Sequence, residues 1–170
     1  MKLYFYYVDE KYIDFLKNTE INESKFTCVP NVCYKYSNKF VFGAVLEMNG
    51  HNFFVPVSSY DKKQQDVILI RDKNDDKRIL GSLRFTYMIP VPSECLKKVD
   101  INSYKNKVHI SKELAFCRRN RDKILSQAQK TYYRVVNNVN NISQNACMFK
   151  LLEEASKKYT TRPEKNSNNN

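Results

Sequence analysis

Apolar and polar positions alternate in the first half of this chain and fall into helical spacing in the second. Residues 2–8 (KLYFYYV) are aromatic and β-rich, without Gly or Pro, and predict a strand. Asp9 follows as the N-cap of a short helix, DEKYIDFLKN, with Tyr12, Phe15 and Leu16 on one face. Residues 18–38 hold polar side chains, Pro30 and Tyr34-Lys35-Tyr36, and read as a loop with a short strand near its end. Next comes the strongest signal in the chain, KFVFGAVLEMNGHNFFVPVSSYDKK, starting at Lys39. Asn49-Gly50 between two apolar runs predicts a hairpin. Pro56 near its close predicts an edge position or a bulge, because Pro cannot donate to a ladder.

Residues 66–71 (DVILIR) predict a buried strand and DKNDDKR a charged turn. Residues 79–90 set Leu83, Phe85, Tyr87 and Ile89 against Ser82, Arg84 and Thr86, the alternation of a half-buried strand that Pro90 and Pro92 end. Residues 93–110 are irregular, with Ser93 and Asp100 as caps. From Ser111 the spacing changes. Leu114, Cys117, Arg121, Ile124, Leu125, Ala128, Tyr132, Val135, Val136 and Val139 recur as on one long helix, about 112–138. Asn137 to Gln144 break it, and MFKLLEEASKKY forms a last helix with Phe149, Leu152, Ala155 and Tyr159 inward. Strands first and helices later predict an α+β domain over residues 1–160: a small antiparallel sheet or partly closed barrel packed by helices. Residues 161–170 read as a disordered polar tail.

Composition narrows the function. The net charge of +11 and pI near 9.4 point to a polyanionic partner, nucleic acid before an anionic membrane. Twelve Tyr and no Trp supply flat faces with polar tips. Five Cys, with no C-x-x-C and no nearby His pair, indicate neither a zinc site nor a disulfide framework. With no signal peptide and no apolar run of membrane length, the chain reads as cytoplasmic. No phosphate-loop, dinucleotide or metalloprotease motif is present, so no cofactor and no metal is expected, and chemistry falls to Ser, Tyr, Lys, Arg or His.

Two clusters stand out. A closed hairpin brings its outer ends together, which places Lys39 beside Ser58, Ser59 and Lys62: a cation, two hydroxyls and a second cation at one end of a sheet. From Lys105 to Arg134, nine basic residues face two acidic ones. A helix carrying that excess is a strip for phosphates, and Tyr132 and Tyr133 add stacking surface suited to single-stranded RNA. The bland alternatives are a solvated helix face and an ordinary Ser-Ser turn. His51, after the Asn-Gly turn, is assigned to the turn rather than to acid–base work. His109, just ahead of the long helix, is assigned to a cap or an RNA contact.

Several pieces, taken together and in order, resemble the ToxN/AbiQ/CptN toxins of type III toxin–antitoxin and phage-abortive systems. They are KLYFYYVDEKYIDFL, KFVFGAVLEMNGHNFFVPVSS, LGSLRFTYMIPVP, and ELAFCRRNRDKILSQAQKTY followed by FKLLEE. The resemblance implies a compact SH3-like (MazF/Kid-like) β-barrel core with added helices and a metal-independent endoribonuclease that leaves a 2′,3′-cyclic phosphate. It implies an antitoxin RNA of tandem pseudoknot repeats that the toxin processes, is inhibited by and joins in a closed protein–RNA assembly, with cellular or phage mRNA as target. Carried over by position, Lys39 matches the family's catalytic-site Lys, and Ser58 and Ser59 match its Thr/Ser-Ser pair. Lys62 matches its following Lys if one residue is inserted, and Tyr36 is preferred for its Tyr over the strictly aligned Lys35. In this reading Lys39 and Lys62 hold phosphate oxygens, Ser58 and Ser59 bond phosphate or ribose, and Tyr36 stacks or bonds a phosphate. Lys35, Lys63, Lys112, Arg118, Arg119, Arg121, Lys123, Lys130, Tyr133 and Arg134 grip the strand. The alternatives are a non-catalytic RNA-binding module and, without a helix-turn-helix to support it, a DNA-binding regulator.

Overall fold

A computed structural model describes residues 2–31 and 42–159. The elements run β1 (Phe5–Val8), α1 (Glu10–Ser24), β2 (Gly43–Met48), β3 (His51–Ser58), β4 (Val67–Arg71), β5 (Ile79–Arg84), β6 (Ile89–Pro90), β7 (Leu96–Lys98), α2 (Lys107–Arg119), α3 (Arg121–Val136) and α4 (Phe149–Lys158). Short 3₁₀ turns occupy Phe85–Tyr87, Ser93–Cys95 and Ile101–Ser103, and Val139–Asn145 is a coiled segment kinked where Asn140 and Asn141 take positive φ. The strands form an antiparallel sheet in the order β4-β5-β3-β2-β1-β7, with β6 paired to β3 off that path. The mixed α and β composition agrees with the α+β expectation. Among the described residues no pairing joins β4 to β7, so the sheet is not closed into a barrel.

The hairpin forms as the Asn-Gly turn dictates. Met48 pairs with His51, and Asn49 (φ 53°) and Gly50 (φ 73°) both take the positive φ that a type I′ turn requires. The expectation for Pro56 needs correcting, because β3 is a central strand. Val57 donates to the Phe42 carbonyl, so alternate N–H groups of β3 face β2 and the missing donor of Pro56 faces the other way. There the neighbour of β3 changes from β6, opposite Phe53 and Phe54, to β5, opposite Val57 and Ser58. The proline sits where no ladder bond is needed.

Asp9 caps α1 as expected, its Oδ1 accepting from the Tyr12 N–H at 3.1 Å, but the helix runs on to Ser24 and ends on Lys25 at φ 62°. The strand expected over 79–90 stops at Arg84, turns through Phe85–Tyr87 and resumes only at Ile89. Ser82, placed on the polar face by alternation, is fully buried, since α2 packs over β4 and β5 and the strand is covered on both sides.

The single long helix is also corrected: α2 and α3 meet at Asn120. Its backbone N–H and its Nδ2 both donate to the Phe116 carbonyl, closing α2, while its own carbonyl accepts from Ile124 to open α3. Arg118 and Arg119 in the last turn of α2 and Asp122 in the first turn of α3 suit the two helix dipoles.

The core is aromatic. Phe5, Tyr12, Phe53, Phe54, Phe85 and Phe149 are all fully buried. Tyr132 stacks on Phe149 at 5.5 Å, and Phe53 meets both edge-on. Glu20, buried on α1, accepts from Thr27 Oγ1, the Cys28 N–H and the Met148 N–H, tying the 25–30 loop and the entry to α4 together. No helix among the described residues is long and apolar enough to cross a membrane.

Candidate active-site cleft

β3 delivers the two serines to a place where the chain must leave the sheet. Ser58 pairs with Ser82 of β5, and its Oγ accepts from the Tyr60 N–H at 3.0 Å, a side-chain-closed turn typical of Ser. That bond commits Ser58, which is buried. Ser59, next in line, is exposed. Both line a cleft of about 390 Å³ together with Cys28, Pro30, Tyr60, Arg84 and Tyr87. Burial and the nearby Glu20 push the Cys28 thiol up to about 11, so it stays protonated near neutrality.

Lys62 and Lys63 are exposed just beyond the serines, in no ion pair among the described residues. Lys35, Tyr36 and Lys39 lie outside the described residues. The chain enters β2 at Phe42, whose carbonyl bonds the N–H of Val57, the residue before Ser58. His51 stands seven residues from Ser58 along β3, about 23 Å at strand rise, and packs edge-on against Phe53. His109 lies inside α2 rather than ahead of it. Its Nε2 is 3.0 Å from the Leu80 carbonyl and 3.4 Å from a Glu113 carboxylate oxygen.

Arg84, Tyr60 and Tyr87 are cleft residues that the sequence reading left without a role. The Arg84 guanidinium lies over both rings, 4.4 Å from the Tyr60 centroid and 4.9 Å from that of Tyr87. A signal for it existed: Arg84 is the one charged residue between Ile79 and Pro92.

The break at Asn120 redistributes the cations expected on one strip. Lys130, Tyr133 and Arg134 border a groove of about 510 Å³ with Gln65 and Gln129, and Tyr133 is 65% exposed. That groove shares Gln65 and Arg134 with a second, of about 540 Å³, which reaches Arg84 and Tyr87 and so runs on to the serine cleft. Arg134 is engaged by both oxygens of Asp66, at 2.7 and 2.8 Å. Arg118 and Arg121 sit elsewhere, beside β1. Arg118 Nε donates to the Leu3 carbonyl, and its guanidinium lies over Tyr4. Arg121 pairs with Asp122. Lys112 pairs with Asp72 at 2.7 Å, and this bond holds the Asp72 carboxyl below its ordinary range. Arg119 and Lys123 are exposed. Among the described residues no three His, Cys, Asp or Glu are grouped to hold a metal ion.

A basic α+β chain with hydroxyls and cations around an open cleft finds its class in comparison with known proteins: residues 4–157 match the family model described as "Toxin ToxN, type III toxin-antitoxin system". The chain belongs to the ToxN toxin family. It is 29% identical to the endoribonuclease ToxN of Pectobacterium atrosepticum, over 88% of this chain and 90% of that protein. A solved structure from work on selective toxin inhibition by a non-coding RNA pseudoknot superposes with TM-score 0.79 at 23% identity, covering 95% of this chain and 100% of that one. AbiQ, described as a lactococcal anti-phage endoribonuclease of the type III systems, superposes with TM-score 0.74 at 24% identity, covering 92% and 97%.

Proposed function

We propose that this protein is an endoribonuclease toxin of a type III toxin–antitoxin system, acting on RNA from the cleft at the end of β3. The observation that carries the reading is the pair of serines: one locked into the turn, the other exposed in an open cleft of a basic chain. RNA supplies its own nucleophile. The 2′-oxygen forms a bond to phosphorus, the bond from phosphorus to the 5′-oxygen breaks, and a 2′,3′-cyclic phosphate remains. One proton leaves the 2′-OH and another reaches the 5′-oxygen. The protein's task is to align the two oxygens and neutralise the phosphorane.

In this reading Ser59 bonds a phosphate or ribose oxygen, Ser58 shapes the turn that presents it, and Lys62 and Lys39 stabilise the added charge. Three chain steps separate Lys39 from Phe42, at most about 11 Å of extended backbone, a span that supports assigning Lys39 to the serine end of β3. Tyr36 stacks or bonds a phosphate. The grooves from Arg84 to Lys130 and Tyr133 form the path of the strand, with Arg134 along it, and Lys35 and Lys63 are assigned as further contacts to the strand. Lys112, Arg118, Arg119, Arg121 and Lys123 are further phosphate contacts. The RNA that restrains the toxin is an antitoxin of tandem pseudoknot repeats, which the toxin cuts and with which it forms a closed complex. Its setting is the cytoplasm, its role defence against phage, and its sheet an open version of the SH3-like core.

The test is growth arrest and RNA cleavage by Ser59→Ala and Lys39→Ala. Both variants should lose arrest and cutting while still binding the repeat RNA, and native cutting should persist in EDTA. Cutting that EDTA stops refutes the mechanism. Binding without cutting by the native chain would make it an RNA-binding module only.

A further inference from the structure

We infer that Arg84 forms a second phosphate-binding element of the cleft, gripping the RNA phosphodiester that Ser59 faces. This deepens the proposed function and rests on it. Four of the cations discussed above already have an internal partner: Arg134 has Asp66, Lys112 has Asp72, Arg121 has Asp122 and Arg118 has a backbone carbonyl, while Lys62 and Lys63 are exposed side chains that no ion pair holds in place among the described residues. Arg84 has none. Among the described residues no carboxylate pairs with it, and its Nε is buried without a hydrogen-bond acceptor. Instead it is flanked by the Tyr60 and Tyr87 rings, which attract the cation through their faces and hold the guanidinium plane.

A half-buried cation so held, without a counter-ion, is prepared for an anion from outside. The planar fork of Arg matches a phosphate's oxygens two at a time. Position identifies which phosphate. Arg84 lines the serine cleft and also the groove leading to Gln65 and Arg134, so a strand passing from one to the other crosses it. As the 2′-oxygen attacks, negative charge builds on the non-bridging oxygens, and a fixed guanidinium stabilises that state more than the ground state.

The experiment compares native chain, Arg84→Gln and Arg84→Lys on a random-sequence single-stranded RNA and on its uniformly 2′-O-methylated, uncleavable copy. Losing one phosphate contact should make the slope of log affinity against log salt shallower by about 0.7 on the methylated copy for Arg84→Gln. The maximal cleavage rate should fall about 10²–10³-fold, more than binding does. Arg84→Lys should keep the native salt slope and recover the rate only in part, because the ammonium lacks the fork. Either readout left at its native value by Arg84→Gln overturns the inference. If that variant does not fold, Arg84→Lys decides, and a fully native rate overturns it. If the native chain cuts neither RNA in EDTA, the proposed function fails, while the salt slope still tests the Arg84 contact by itself.

Discussion

Replacing Glu113 by Gln should make the protein more stable at alkaline pH and leave it nearly unchanged in acid. Glu113 lies on α2 against β5 and is buried, 4% exposed. Gly81 leaves it room: a Cβ there would stand 2.6 Å from its Oε1 and 2.9 Å from the Ser58 carbonyl. The groups facing it are His109, at 3.4 Å, and the buried thiol of Cys117. Burial drives its pKa from 4.5 up to about 8. The folded state therefore holds this proton more tightly than the unfolded chain. Stability is fully present below about pH 4.5, falls as pH rises through about 8, and is flat beyond. At about 1.36 kcal/mol per pK unit the ceiling is roughly 5 kcal/mol; water reaching the ionised carboxylate should leave about 2 kcal/mol.

Glu113→Gln removes the titration and keeps the shape. Urea and thermal melts followed by circular dichroism from pH 5 to 9 should show the two proteins within about 0.5 kcal/mol at pH 5, the ordinary scatter of a neutral substitution. By pH 8.5 the variant should be ahead by about 2 kcal/mol, or about 4–8 °C in Tm. A gap that does not change with pH, or a variant less stable than native at pH 8.5, refutes the assignment of Glu113 as a carboxyl kept neutral by burial.

Glu20→Ala should lower stability by about 2–4 kcal/mol, because it strands two backbone N–H groups and a hydroxyl; a loss under about 1 kcal/mol in urea unfolding would contradict that. RNA cleavage should fall with it, since the 25–30 loop that Glu20 secures forms one wall of the cleft. Gly43→Ala places a methyl 2.4 Å from the Val55 carbonyl and 2.6 Å from the Phe54 ring, and should cost about 1–3 kcal/mol through strain. A native melting temperature for that variant would mean that β2 and β3 can move apart at no cost.

How far the sequence could be read depended on the range of the physics involved. The Asn49-Gly50 turn, the Asp9 cap and the apolar face of α4 are set by residues within a few positions of one another, and each was visible. The break at Asn120 was not, because Cys117 and Ile124 are seven residues apart, two full turns, so the apolar face continues across the junction. Ser82 and Pro56 were misplaced because their surroundings come from α2, β6 and β5, which local alternation does not report. The cations show the same limit. Density of charge made Lys112 and Arg134 look free, yet their partners Asp72 and Asp66 lie 40 and 68 residues away. Arg84 was passed over for the converse reason, since its meaning comes from Tyr60 and Tyr87 and from the acid it lacks.

The carboxylate of Glu20 reaches across nearly the whole polypeptide to the Met148 N–H, and the neighbouring Cys147 N–H bonds the Thr86 carbonyl beside the cleft. During synthesis those two anchors leave the ribosome after the 25–30 loop and the Phe85–Tyr87 turn that they fasten. Until they emerge, the 25–30 loop and the Phe85–Tyr87 turn lack their fastening. A chain cut short before residue 147 would lack both bonds, and with them the ties that the C-terminal half makes to two walls of the cleft.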